Sequence, residues 1–419
     1  MFFQLILKEC RQTAKSMIYW LIVIVMGIFF FSQMGTEQIV SKPQPGQEDY
    51  GTAASTDKNV IMEYTLGSLL MEYEQGSYVT YPVGFYKSVT LNKEQQKQIG
   101  DILQETAGMT SMEEAEEASG QQNAEKANTD DSGAMFQQNL KVEPKEGLSY
   151  ERFQTLMKEA DDLLGGGSSY SESGMMNNGQ VKLTYEQAVE QYDTLMEKDH
   201  LSGGYARLFC DYMGIVLGIL PVFLAVTREM RDRRSKMQAL IASRRCSSVV
   251  IIAGRYLAML IMLMLPVLIL SCYPLAECIQ QGAKAGVDVD VLAFVKYSFG
   301  WLMPTVMAAT AVGMLLTELT DTALGVLVQL IWWFLTIFTS INSMDGGQYG
   351  WSLVPRHNTI YNYEGFQAGF AQLAANRCLY VGISVLMVLA AMWIYSMKRK
   401  GRLDFRGKIS RNFKRKHKV

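Results

Sequence analysis

Residues 249–272 read VVIIAGRYLAMLIMLMLPVLILSC, a block of 24 residues with one charge, Arg255, near its start. A helix rises about 1.5 Å per residue and the hydrocarbon core of a bilayer is about 30 Å thick, so roughly 20 mostly apolar residues cross it once. Immediately before it, residues 227–247 (TREMRDRRSKMQALIASRRCS) hold seven Lys and Arg against two acids. A spanning apolar block with a basic flank reads as a crossing whose flank stays in the cytoplasm.

Outward from this block, five further stretches meet the same test: 17–34, 208–226, 291–316, 322–341 and 378–395. The first is longer than a signal-peptide core and lacks a small-x-small cleavage pattern, so it reads as an uncleaved anchor. The arm 1–16 carries Lys8, Arg11 and Lys15 against Glu9, and the tail 397–419 carries eleven basic residues against Asp404. Six crossings place arm, basic loop and tail on one side. Residues 35–203, with 12 basic and 29 acidic groups, then lie outside. The formal net charge of −2 on 419 residues is thus a cancellation of two oppositely charged faces. Averages of 49% apolar and 19% charged residues exclude a mainly disordered chain, and nine Pro with six Cys exclude a collagen-like or disulfide-dense scaffold. The expected fold class is a mainly α membrane protein of six transmembrane helices, with a mixed α/β extracellular domain inserted between the first and second and both termini cytoplasmic.

The arm puts Gln4, Lys8, Arg11 and Lys15 on one helical stripe beside Phe2, Phe3, Leu5, Ile6 and Leu7. Either it lies along the cytoplasmic interface as an amphipathic helix over 1–16, or it extends the first span. In the outer segment, 77–91 reads as one or two short strands with Pro82 at a turn or edge, and helices begin at Asn92, Ser149 and Thr184, the last with Gln187 completing a capping box. Acidic residues near 107–147 and the Gly, Ser and Asn run near 165–180 are expected as flexible insertions. The 204–396 region holds five crossings, with 318–321 as a tight inner hairpin capped by Thr320 or Asp321. After the fifth span, 342–376 is expected as short external helices dipping into the interface, bearing Trp351, Tyr361, Tyr363 and Phe366 around Pro355.

No GxxxxGK followed by Ser or Thr occurs, so the chain has no phosphate-binding loop of its own. His200, His357 and His417 are scattered and no CxxC or HExxH is present, so no metal site is expected. Cys272 and Cys278 form one external pair whose bonding the spacing leaves open. No nucleophile elbow exists, and an enzyme reading has no motif behind it. Ionisable groups within spans are costly and mark function or local pairing. Arg207 and Asp211, one turn apart, read as a local ion pair or as part of a substrate path; Arg255 and Lys296 lie within snorkelling reach of an interface. Residues 228–242 form a charged-then-apolar helix along the membrane, either a topogenic loop or a helix that docks into another protein's groove.

With arm, six spans, large first external loop, tight hairpin and segment before the last span in place, the chain resembles the permeases of type-2 ATP-binding cassette (ABC) exporters. The likeness is strongest in TREMRDRRSKMQALIASRRCSSVVIIAGRYLAM (227–259), similar to that family's coupling helix and the opening of its third span, and in WSLVPRHN (351–358). The commoner coupling helix carries Glu-x-Gly-Thr, whereas Arg231, Asp232, Arg233 and Arg234 occupy that region here. The resemblance implies a plasma-membrane permease that exports an unidentified substrate, pairs with a second permease of the same or another kind, and is driven by cytoplasmic ATPase subunits holding ATP and Mg. This chain itself would hold no cofactor and bind no nucleic acid. It assigns ATPase coupling to Glu229, Met230, Arg231, Asp232, Arg233, Arg234, Lys236 and Met237. It places Arg207, Asp211, Gly214, Gly218, Trp332 and Trp333 along the translocation path, and Trp351, Pro355, Arg356, His357 and Asn358 in an external re-entrant segment. The rival readings are a membrane-anchored receptor or immunity-type peptide-binding protein without transport, and an ion-coupled carrier or channel, which the scarcity of mid-span charge disfavours.

Overall fold

The structure, a computed structural model, describes residues 2–35, 39–47, 49–55, 57–81, 86–114, 141–172, 174–175, 180–237, 241, 246–340, 346–347 and 349–400. In chain order its elements are α1 (Phe2–Ala14), α2 (Met17–Met34), β1 (Thr52–Ala54), α3 (Lys58–Gln75), β2 (Tyr78–Thr80), β3 (Lys87–Val89), α4 (Lys93–Thr106), α5 (Tyr150–Leu164), β4 (Gln180–Lys182), α6 (Tyr185–Glu197), α7 (Ser202–Leu217), α8 (Leu220–Arg234), α9 (Ser248–Ala285), α10 (Ala293–Tyr297), a π-helical turn (Ser298–Leu302), α11 (Met303–Thr320), α12 (Leu324–Ser340) and α13 (Tyr363–Arg399). The chain is mostly helical and divides into two compact units, one built on Met1–Ser41, Gln191–Ser340 and Gly346–Val419, the other on Lys42–Glu190.

Among the described residues of the first unit, four helices are long and apolar enough to cross a bilayer: α2, α9, α10 to α11 as one run (Ala293–Thr320), and α13. By length and composition the protein is therefore a membrane protein with four candidate spans. A fifth arises if α7 and α8 count together; they bend by 41° at a short break. The remaining expected span, 322–341, falls on α12, a shorter apolar helix. The α9 helix begins where Ser247 accepts the Val250 amide at 3.2 Å and runs 38 residues to a left-handed Gly286 at φ 69. That is longer than its apolar block, and α13 likewise starts at Tyr363, fifteen residues before the expected span. The expected short helices before the last span are therefore replaced by an extended loop over 349–361 and the first turns of α13. At the hairpin, Asp321, one of the two residues expected to cap it, is the left-handed C-cap of α11 (φ 62), and the Thr322 hydroxyl accepts the Leu324 amide at the start of α12.

The bend between α7 and α8 has a chemical cause. Pro221 has no amide hydrogen, and its ring crowds the preceding turn. The Ile219 and Val222 amides turn to the carbonyls of Val216 and Ile219, at 3.2 and 3.3 Å, which leaves the Ile215 and Gly218 carbonyls without their usual helical donors. In hydrocarbon such carbonyls need other partners. Two side chains of α12, one turn apart, supply them: Trp333 Nε1 donates to Ile215 O at 2.7 Å and Gln329 Nε2 to Gly218 O at 2.6 Å.

The second unit is a small helical core around α3, whose Leu66, Leu69 and Leu70 are fully buried with Ile99 and Leu103 of α4 and Phe153 and Met157 of α5. Asp57 caps α3 at Asn59 N, 2.9 Å, and Gly76 ends it at φ 62. Asn92, Ser149 and Thr184 cap α4, α5 and α6 as the sequence predicts, the first and last through capping boxes. The strands are few: β1 pairs antiparallel with β4 (Thr52 opposite Lys182) and β2 with β3 (Tyr78 opposite Val89). Two expected insertions differ. In the Gly and Ser run, Tyr170 is fully buried and donates its hydroxyl to Glu72 at 2.5 Å. In the acidic stretch Val142 is buried and Lys145 N donates to Thr106 O at 2.8 Å, while 115–140 lie outside the described residues.

Candidate functional site

The residues expected to couple to an ATPase divide by burial. Arg228 and Glu229, on the last turns of α8, are buried, and so is Arg255 on α9. Arg228 forms a two-pronged pair with Glu9 of α1, Nε to Oε2 at 2.7 Å and NH2 to Oε1 at 2.5 Å, and lies 3.5 Å from Asp232. Arg255 donates to Glu229 at 2.9 Å and to Asp232, and lies over the Tyr395 ring of α13 at 5.9 Å. Three carboxylates and two guanidiniums thus tie α1, α8 and α9 together where α8 ends. Two expectations change: Arg255 does not snorkel, and 228–234 is not a separate helix along the membrane but the end of α8. Glu229 and Asp232 are spent inside the protein. Arg231, Arg234, Lys236 and Met237 are exposed and Met230 is half-buried. The Arg233 side chain and residues 238–240 lie outside the described residues.

At the other end of α7, non-helical backbone is buried against the helices, and side chains from four elements satisfy it. Asp211 accepts the His357 amide at 2.9 Å and the Asn358 amide at 2.6 Å. Arg207, fully buried, pairs with Asp199 through both nitrogens at 2.9 and 2.5 Å, donates to Ile360 O at 3.3 Å and lies 4.7 Å over the Phe366 ring. So Arg207 and Asp211 do not form the expected local pair. His200 and Leu201, both at positive φ, end the preceding segment and bring Asp199 alongside α7. Trp301, on the π-helical turn, donates to Pro355 O at 3.1 Å, and Thr305 to Leu353 O at 2.8 Å. From α13, Asn376 reaches Gly350 O and Ser352 O, Tyr380 reaches Trp351 O, and Arg377 reaches Ser352 O, Leu353 O, Trp301 O and Thr305. Irregular backbone buried within a protein survives where side chains supply such partners.

Within the loop, His357 is fully buried between Tyr349, whose hydroxyl is 2.9 Å from Nδ1, and the Tyr361 carbonyl, 3.0 Å from Nε2. A carbonyl only accepts, so Nε2 carries the hydrogen and Nδ1 accepts from Tyr349. Burial, and then the Arg207 charge, push the imidazole down to about 4, so the ring is neutral near pH 7. Pro355 is buried, Trp351 is 62% exposed and Arg356 is half-buried with no partner for its Nε.

Of the expected path residues, Gly214, Gly218 and Trp333 meet at one packed crossing. A Cβ on Gly218 would stand 2.7 Å from Trp333 Cδ1 and 2.9 Å from Val354 Cγ2, and one on Gly214 3.1 Å from Val354 Cγ1. Trp332 points elsewhere, its ring 5.9 Å from that of Tyr380. The sequence reading passed over Glu9, Asp199, Gln329, Asn376 and Arg377. Gln329 and Arg377 carried a signal, as polar groups within or at the edge of an apolar run. Glu9 carried one as the single acid of a basic arm. Cys272 and Cys278 are both free thiols. Among the described residues no cluster of His, Cys, Asp or Glu is arranged to hold a metal ion. No protein-family model, curated protein or solved structure matches this chain.

Proposed function

We propose that the chain is the membrane-spanning permease subunit of an ATP-binding cassette exporter, working with a second permease and with separate cytoplasmic ATPase subunits that bind ATP and Mg. In this reading the bent α7 and α8 and the short α12 also cross, giving six spans with both termini cytoplasmic in the cell membrane. One observation carries the reading. The end of α8 exposes Arg231, Arg234, Lys236 and Met237 on a turn whose base is fixed by buried ion pairs to α1 and α9. An exposed cationic and apolar turn on a rigid base is what a motor subunit needs in order to push on spans. Such a turn would otherwise be free to fray. Reconstituted with its ATPase, the chain raises ATP hydrolysis, and reversing Arg231 and Arg234 to Glu removes that stimulation while insertion is unchanged. Unaltered stimulation refutes the docking role. Failure of any ATPase to co-purify with the chain favours the receptor reading instead.

A further inference from the structure

The α1 helix is turned by its own ion pair. Glu9 and Thr13 are buried, Glu9 is held by both prongs of Arg228, Leu5 stands against Gly254 of α9, and Cys10 Sγ lies 3.9 Å from Ala258 O. This fixes which face looks away from the protein. On that face Phe3 is 70% exposed and Leu7 54%, beside exposed Lys8, Arg11 and Lys15. With Glu9 committed to Arg228, no acid on α1 is left to neutralise the three cations. The depth of the helix is fixed too. The apolar α2 begins three residues after α1 ends, with Trp20 Nε1 donating to Ala14 O at 2.8 Å across the joint, so the joint sits where hydrocarbon meets headgroups. A helix at that level with an apolar edge and a cationic edge, its rotation locked from behind, matches a surface of negative headgroups.

We propose that the outward face of α1 docks anionic phospholipid, with Phe3 and Leu7 in the acyl boundary and Lys8, Arg11 and Lys15 on the headgroup phosphates. Zwitterionic lipid carries the same phosphate without net charge and gains little from the three cations. The inference needs only a bilayer around α2. It stands or falls independently of any ATPase partner.

The test uses the full chain in mixed micelles of equimolar phosphatidylglycerol and phosphatidylcholine, with the lipid retained after gel filtration measured by mass spectrometry. The native chain enriches phosphatidylglycerol. Lys8→Gln, Arg11→Gln and Lys15→Gln together lower the retained ratio at least fivefold, the loss expected from about one surface cation's attraction or more. An Arg231→Gln, Arg234→Gln chain keeps the enrichment. If the triple variant fails to insert, Lys8→Gln and Arg11→Gln singly each lower the ratio about twofold or more. Equal enrichment in native and variant chains overturns the proposal. So does an equal loss in the Arg231 and Arg234 variant, since that is the signature of bulk charge, and so does a native chain that retains the two lipids equally, since its α1 face then meets protein.

Discussion

The junction at the end of α8 makes a prediction that depends on counting charge rather than contacts. Among the described residues, Glu9, Glu229 and Asp232 face Arg228 and Arg255, so acids outnumber bases by one, and Glu229 Oε1 has no hydrogen-bond partner. Among the described residues, Arg255→Met leaves Glu229, whose side chain is fully buried, without a cation, and leaves Asp232 with the 3.5 Å contact to Arg228. Breaking a buried pair from one side costs about 3–5 kcal/mol, because the stranded charge keeps its desolvation penalty. Glu229→Gln acts in the opposite sense. It brings the cluster to neutrality, its amide oxygen still accepts from Arg255, and Asp232 remains as the counter-ion. The loss is then the difference between a charged and a neutral hydrogen bond, about 1 kcal/mol. Joining the two substitutions removes one charge of each sign, and the double variant is more stable than Arg255→Met alone. Thermal unfolding of the detergent-purified chain ranks the four proteins as native, Glu229→Gln, double, Arg255→Met. If Glu229→Gln proves as damaging as Arg255→Met, the charge count is not what holds the junction and the reasoning fails.

Two further substitutions separate the partners of the bent span. Trp333→Phe keeps an aromatic side chain but strands the Ile215 carbonyl, and costs about 1–2 kcal/mol. Gln329→Leu strands the Gly218 carbonyl yet also removes the buried Gln329 Oε1 that has no partner, so the two effects offset and its unfolding temperature stays near the native one. A Gln329→Leu chain less stable than Trp333→Phe contradicts this account. The loop histidine predicts an acid limit. His357 is neutral when folded, with its pKa down to about 4 against an ordinary 6.5, so the unfolded chain binds the extra proton. Stability from this group is whole above about pH 6.5, falls as pH drops, and is gone near pH 4, a loss of roughly 3 kcal/mol at most. His357→Gln, measured by unfolding from pH 7 to pH 4, flattens that part of the profile; an unchanged slope places the acid sensitivity elsewhere.

What could be read beforehand was set by periodicity and by local caps. The 249–272 block, the 17–34 span and the caps at Asn92, Ser149 and Thr184 depend on neighbours within a turn or two, and the structure places each of them. The α3 helix escaped because it is buried on nearly every side: Ile61, Met62, Tyr64, Leu66, Leu69 and Leu70 leave no polar stripe to mark a helical period. The partners of Arg207, Asp211 and Arg255 escaped for another reason. An apolar run makes Arg207 and Asp211, one turn apart, look like each other's partner, whereas the positive-φ turn at His200 and Leu201 delivers Asp199 to Arg207, and the loop delivers two amides to Asp211. These pairings are made by tertiary placement across up to about 150 residues, and no local pattern encodes them.

The same placements decide how α7 and α8 respond to force. Asp211 and Arg207 tie the upper part of α7 to the loop and to Asp199, Gln329 and Trp333 hold the carbonyls opened at the bend, and Glu9 with Arg255 grip the end of α8. A helix held at three levels does not fray when pushed at Arg231 or Arg234. Its give is confined to the bend, where the helical ladder is already broken and where two side-chain bonds, rather than a continuous backbone ladder, keep the 41° angle. Because both of those bonds come from α12, straightening α7 and α8 requires α12 to move with them. A push on the exposed turn of α8 would therefore reach α9 directly through Arg255, and through the bend it would reach α12 and Val354, which the glycines of α7 admit to close contact.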